Sequence, residues 1–355
     1  MAIFSNNLAV IRQRVSRLVD DLVLVTVSKT GAITSMTFGT TDPPQFYGKA
    51  DDYFNDAYEA YCYEGTNIGV SRAVTDWVNA DHLLTVSPAA GSAYDATSKI
   101  ELHRTFSSGE LLNAINLAIE AAAGKYLLDL KDETSISLVE STGNDDTTIY
   151  TYEYTLPTSF LFLHRVVTEG AVSGKKLTGT IDSAFTLGEK VTGVTSGATG
   201  ILTYGPSTAS YILVREVSGT FATVEDVKGT SATCAALSAV ADETVGTGKF
   251  NNEVDPRSWR IIKSYSPQIK FDKNTYNVVA DLRIRLEGQG SQAKVSANID
   301  GIYLPPEWVA WKAITFLPYS KIESNNLLNT FKMAEAKVAR PLFTSVHPNA
   351  RAVIE

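Results

Sequence analysis

The sequence predicts an α+β protein: a helical core with an antiparallel sheet and two inserted β-barrel or sandwich-like modules. Three observations lead there. Apolar residues recur at helical spacing near the start, in the middle and at the end of the chain. Between Leu22 and Arg104 the period changes to two. Over residues 185–240 one small β-pattern is written twice: Phe185-Thr-Leu-Gly-Glu189-Lys-Val191-Thr-Gly193 returns as Phe221-Ala-Thr-Val-Glu225-Asp-Val227-Lys-Gly229. The expected core comprises 1–21, 105–168 and 251–341, with its N-terminal, central and two C-terminal helices. The modules are 22–104 and 169–250, and 342–355 is an extended C-terminal arm.

Residues 5–19 read as a helix that Ser5 or Asn6 can cap, with Leu8, Ile11, Val15 and Leu18 on one face. Arg12, Arg14 and Arg17 lie off that stripe, either as a solvated basic face or to meet acidic groups of a neighbouring subunit. Leu22–Val27 and Ile33–Phe38 flank Lys29-Thr-Gly31, a hairpin signal, and further strands follow at 57–63, 69–78, 83–87 and 99–104. The tyrosines Tyr47, Tyr53, Tyr58, Tyr61 and Tyr63 are expected to pack rather than bind.

Residues 107–128 give the strongest helix signal. Ser107-Ser-Gly-Glu110 is a capping box, and Leu111, Ile115, Ala118, Ile119 and Ala122 form its apolar face. Strands are expected at 134–140, 147–154 and 160–167, then at 259–265, 268–271, 276–286 and 293–303. Pro305-Pro306 opens a helix with Trp308, Trp311, Ile314, Phe316 and Leu317 on several faces. Ser324 is expected to cap a last helix running to Arg340-Pro341.

The chain has 355 residues and a formal net charge of −8, which argues against a dedicated nucleic-acid binder but suits a channel that lets DNA pass without sticking. Its two cysteines form no CxxC pair, and no run of about 18 apolar residues predicts a membrane span. Chemistry is sparse. Gly246-Thr-Gly-Lys249 imitates a phosphate loop, but Glu243 stands where its first glycine belongs and Phe250 replaces the Ser or Thr that would hold Mg²⁺. His82, His103, His164 and His347 show no zinc spacing. The acidic groups Asp51/Asp52/Asp56, Asp129/Asp132/Glu133 and Asp145/Asp146 fall at expected turns. No catalytic, metal or cofactor site is expected, and the protein is not expected to be an enzyme.

Three segments carry a family resemblance: Phe106-Ser-Ser-Gly-Glu-Leu-Leu-Asn-Ala-Ile-Asn-Leu-Ala-Ile-Glu120, Tyr152-Glu-Tyr-Thr-Leu-Pro-Thr-Ser-Phe160 and Ile302-Tyr-Leu-Pro-Pro-Glu-Trp308. With the duplicated β-pattern they resemble virion proteins of tailed bacteriophages, particularly head-to-tail adaptor (connector) proteins of the neck. The resemblance implies a homo-oligomeric ring, commonly of twelve subunits, between the portal and tail or neck proteins. It further implies transient non-specific passage of DNA, no membrane, and a virion location after synthesis in the host cytoplasm. A capsid decoration or tail-fibre protein, and more remotely a glycan hydrolase, are the alternatives. The residues expected to contact other subunits or partners are Arg12, Arg14, Arg17, Leu111, Ile115, Trp308, Trp311, Phe331, Arg340, Phe343 and His347.

Overall fold

The structure, a computed structural model, describes residues 6–39, 49–138, 140–142, 148–150, 152–275 and 282–353. Ser5, Tyr47, Asp145, Asp146 and the opening of the strand expected at 276–286 lie outside the described residues. Among the described residues the protein is mostly β, with 42% strand against 17% helix, several large antiparallel sheets and five helices. The expected α+β class, a helical core carrying inserted modules, is thereby overturned. Sheet continuity is the reason. The strands Phe162–Ile181 and Thr233–Glu253 are 20 and 21 residues long and run straight through both ends of the expected insert 169–250.

The chain folds as two compact units: Met1–Leu128 with Ser291–Thr344, and Asp129–Gly290 with Ser345–Glu355. In the first, strands Val23–Ala32, Ser35–Phe38, Glu59–Glu64, Ser71–Val78, Leu83–Ser87 and Lys99–His103 close an antiparallel barrel. Alternation along each strand points Val25, Met36, Cys62, Trp77, Leu84 and Ile100 into its core. The expected turn at Lys29-Thr-Gly31 is instead strand, and the chain reverses at Ile33-Thr34, where Ala32 pairs with Ser35. Gly31 serves close approach, since a Cβ there would lie 2.4 Å from the Ser35 carbonyl oxygen.

Helices α1 (Leu8–Leu18), α2 (Ser108–Ala122), α3 (Pro306–Ile314), α4 (Tyr319–Ser324) and α5 (Leu328–Lys337) form the other part of this unit. Asn7 caps α1, its Oδ1 accepting from the Val10 N–H at 3.0 Å. The Ser107/Glu110 capping box of α2 forms in both directions. Leu8, Ile11 and Val15 of α1 join Leu111, Ile115 and Ile119 of α2 and Val309, Ala310 and Ile314 of α3 in one core. Each of the leucine, isoleucine and valine side chains among them contributes about 1.5–3 kcal/mol on full burial. The last helix departs from expectation. Ser324 ends α4, and Asn326 at φ +60° breaks the chain before α5 begins. Residues 293–300 are also not strand; Asp300 closes a loop there by accepting from the Ser296 and Ala297 N–H groups.

In the second unit the duplicated pattern becomes a ring of six antiparallel strands. The order is Tyr211–Ser218, Thr199–Tyr204, Lys190–Gly193, Val227–Lys228, Thr233–Glu253 and Phe162–Ile181, and the last pairs back onto the first. A local pseudo-twofold axis relates the copies, because Thr192 pairs directly with its own counterpart, Lys228. The copies hold each other reciprocally. The Glu189 carboxylate accepts from the N–H groups of Thr230 and Ser231 and from the Ser231 hydroxyl. The Glu225 carboxylate accepts from the N–H groups of Thr195 and Ser196, at 3.0 and 2.8 Å, and from the Ser196 hydroxyl. Each glutamate also accepts from the N–H three residues before it, Thr186 or Ala222. Burial opposes ionisation, but these donors outweigh it and hold both carboxyls below the usual glutamate range. Gly193 and Gly229 leave room, since a Cβ at either would lie 2.7 Å from the opposing carboxylate oxygen.

One turn position distinguishes the copies. Gly188 adopts φ +84°, and its counterpart Val224 adopts φ +68° with a side chain 82% exposed. A β-branched residue is strained in that region and gains little from burial here. Val224→Gly is therefore expected to raise stability by about 1 kcal/mol, read as a higher denaturant midpoint with unchanged slope.

The rest of the second unit packs strands Leu128–Ser137 and Arg283–Gly290 beside Phe162–Ile181, with a three-stranded sheet of Glu153–Thr155, Gln268–Phe271 and Trp259–Ile262. Leu156, Phe160, Leu163, Trp259, Phe271 and Leu286 belong to its core.

Candidate functional site

Of the residues expected to make contacts, Leu111 and Ile115 are fully buried and Trp311 is nearly so, its indole N–H donating to Glu307. Trp308 and Phe331 are half-buried against the same core. Arg14, which pairs with Glu307, and Arg17, Arg340 and Phe343 are exposed, Phe343 at 78%. The structure does not gather these residues at one place; it divides them between the interior of the first unit, its surface and the C-terminal arm of the second.

Arg12 belongs to the interior, not to a solvated basic face. It is 1% exposed and forks onto Glu101, Nε to Oε2 at 2.6 Å and Nη2 to Oε1 at 3.0 Å. Its third donor reaches Asn298 Oδ1 at 2.8 Å, and its guanidinium lies 4.2 Å from the centre of the Tyr61 ring. Tyr61 Oη donates to Asn298, whose amide donates to the Tyr63 carbonyl. Gln13 donates to Glu101, and His103 Nε2 lies 3.2 Å from it. Burial opposes ionisation of Glu101, yet the His103 and Arg12 contacts outweigh it and keep the carboxyl below the ordinary range. The cluster clasps α1, the barrel and the Asn298 loop together.

Beside it in the first unit lies a cavity of about 450 Å³ lined by Glu59, Ser71, His103, Arg104 and Lys321, among others. A serine, a histidine and a carboxylate in one wall suggest nucleophilic chemistry. The hydrogen bonds argue otherwise. His103 Nδ1 is taken by the Asp21 carbonyl and Nε2 by Glu101, so no ring nitrogen is left to deprotonate a serine. Ser71 and Ser108 both donate to Glu59, and the Asp21 carboxylate is spent on the N–H groups of Arg104, Thr105 and Phe106. Among the described residues no three His, Cys, Asp or Glu side chains converge as a metal-ligand set.

The imitation phosphate loop has a structural explanation. Glu169, 1% exposed, accepts from the Gly248 N–H and from Arg283 Nε and Nη2, at 3.2 and 3.0 Å. A Cβ at Gly246 would lie 2.3 Å from the Glu169 carboxyl carbon, and Gly248 needs φ +74°. The glycines wrap a protein carboxylate of this chain.

The second unit holds a pair that spacing alone concealed. His164 and His347 stack with centroids 4.3 Å apart and planes 20° from parallel. They fasten the C-terminal arm, where Ala352 and Arg351 pair with Phe162 and Leu163 and Val353 is fully buried. His164 Nδ1 is buried and makes no hydrogen bond among the described residues. Desolvation, helped by the His347 and Arg165 charges and opposed by Glu287 and Asp129, lowers its pKa. A histidine that binds its proton less tightly when folded loses stability as pH falls from its unfolded value, about 6.5, towards the lowered one. Melting temperature is accordingly expected to drop as pH falls below about 6.5, and His164→Phe to flatten that dependence.

In comparisons with known proteins, no family, no curated sequence and no solved structure matches the chain.

Proposed function

We propose that the protein is a structural virion component of a tailed phage, forming a head-to-tail adaptor ring between the portal and tail proteins and performing no catalysis. The observation that carries this reading is the place of the resembling segments. Phe106 to Glu120 and Ile302 to Trp308 fold against one another in a single core of the first unit, through Phe106, Leu111, Ile115, Ile302 and Leu304.

The surface above that core supports assembly. Asn6 and Asn7 pair with Ile302 and Gly301, and the Leu8 and Ala9 N–H groups donate to Asp300 and Asn298. These joined segments expose Val10, Ile299 and Tyr303, at 46%, 78% and 52%. Apolar groups so placed are what repeated contacts between copies would cover. The acidic balance of −8 suits a lumen through which DNA slides.

Mass measurement and imaging of the purified protein, with labelling in virions, test the proposal. Rings and a signal at the neck are expected. A strict monomer absent from particles would sink it. Exposed tips of the second unit, Val224 and Tyr265, favour the decoration or fibre reading to the extent that label appears on the shell or fibres instead.

A further inference from the structure

A cavity of about 530 Å³ in the second unit is lined by Tyr152, Arg257, Trp259, Arg260, Lys270 and Lys273, among others. We infer that this cleft binds a small ligand bearing a multiply charged phosphate group. The inference is independent of the adaptor reading.

The three-stranded sheet carries a charge imbalance. Across the three-stranded sheet Glu153 pairs with Lys270, and Lys270 with Arg260. Two cations therefore stand directly opposite each other, which destabilises a sheet unless an anion intervenes. One carboxylate serves the row, and Glu153 spends it on Lys270. Arg260 has no acidic partner among the described residues, and neither do Arg257 and Lys273. Asp255 accepts from the Arg257 N–H, and Asp272, the acid in the lining, accepts from the Asn274 N–H, so cations outnumber acids around the cleft.

The cleft thus gathers cations from several segments, and Arg257, Arg260 and Lys273 among them have no acidic partner among the described residues. A carboxylate offers two oxygens and one charge, enough for a single guanidinium fork. A phosphate group offers three oxygens and nearly two charges, which matches guanidinium groups with an ammonium beside them. A cavity of about 530 Å³ is of small-molecule size and does not admit a nucleic-acid duplex. The phosphate would come from a free nucleotide or from the end of a single strand.

Calorimetric titration of the full chain with inorganic pyrophosphate tests this. One saturable site per chain is expected, weakened at least tenfold in Arg260→Gln and in Arg257→Gln, and within twofold of the parent in Lys190→Gln, an exposed cation on the repeat ring. Circular dichroism melts establish that the variants fold. Competition by a nucleoside triphosphate would assign the site to free nucleotides; competition by a 5′-phosphorylated oligonucleotide, but not its unphosphorylated form, would assign it to strand ends. Absence of saturable pyrophosphate binding, equal affinity in all three variants, or tighter binding of polyglutamate would overturn the inference.

Discussion

Replacing Arg12 with methionine is expected to destabilise the first unit by about 3–5 kcal/mol, the cost of stranding a buried charge. Glu101 has no exposed surface and accepts two of the three Arg12 hydrogen bonds, so it would remain charged in an apolar setting or take up a proton. Losing the Asn298 contact would also loosen the loop that holds the start of α1. The double substitution Arg12→Met with Glu101→Leu is expected to recover most of the loss, because both desolvation penalties disappear together. Denaturant titration of the two singles and the double decides it. If the double is as unstable as Arg12→Met alone, the pair is not what the methionine disrupts.

Glu225→Ala is expected to have the second largest effect, about 2–4 kcal/mol, since hydrogen bonds to a charged group are each worth about 1.5–3 kcal/mol. It would leave the N–H groups of Ala222, Thr195 and Ser196 and the Ser196 hydroxyl seeking other acceptors. Glu225→Gln keeps the shape, loses the charge and is expected to fall between alanine and the parent. Glu189→Ala should cost less, because Glu189 lies in the more exposed of the two sites. Equal effects at the two glutamates would mean that exposure does not set the difference. A shared thermal transition for ring and flanking sheet is also expected, as the long strands belong to both.

What could be read from the sequence was what neighbours along the chain decide. Ser107 and Glu110 are three residues apart, and the box they make needs nothing else. The duplicated pattern likewise announced itself by repetition. Arg12 could not be placed, because Glu101 and Asn298 are 89 and 286 residues away and nothing local marks them as partners. In the sequence, charge alone sets it beside Arg14 and Arg17. The fold class is hidden for the same reason in another form. Helices declare themselves within one window, whereas the strands Phe162–Ile181 and Thr233–Glu253 owe their length to pairing with each other. The cationic cleft left no signal, because its groups come from a turn, two strands and a loop whose meeting only the sheet register reveals.

The reciprocal grip of the duplicated segments bears on how a ribosome-bound chain reaches its final form. Glu189 finds its acceptor-hungry amides 41 and 42 residues downstream, and Glu225 finds its own 29 and 30 residues upstream. Neither copy can therefore lock while the other is still inside the exit tunnel. The ring cannot close before Val227–Lys228 and Thr233–Glu253 have emerged, and a product truncated near Tyr204 lacks those strands.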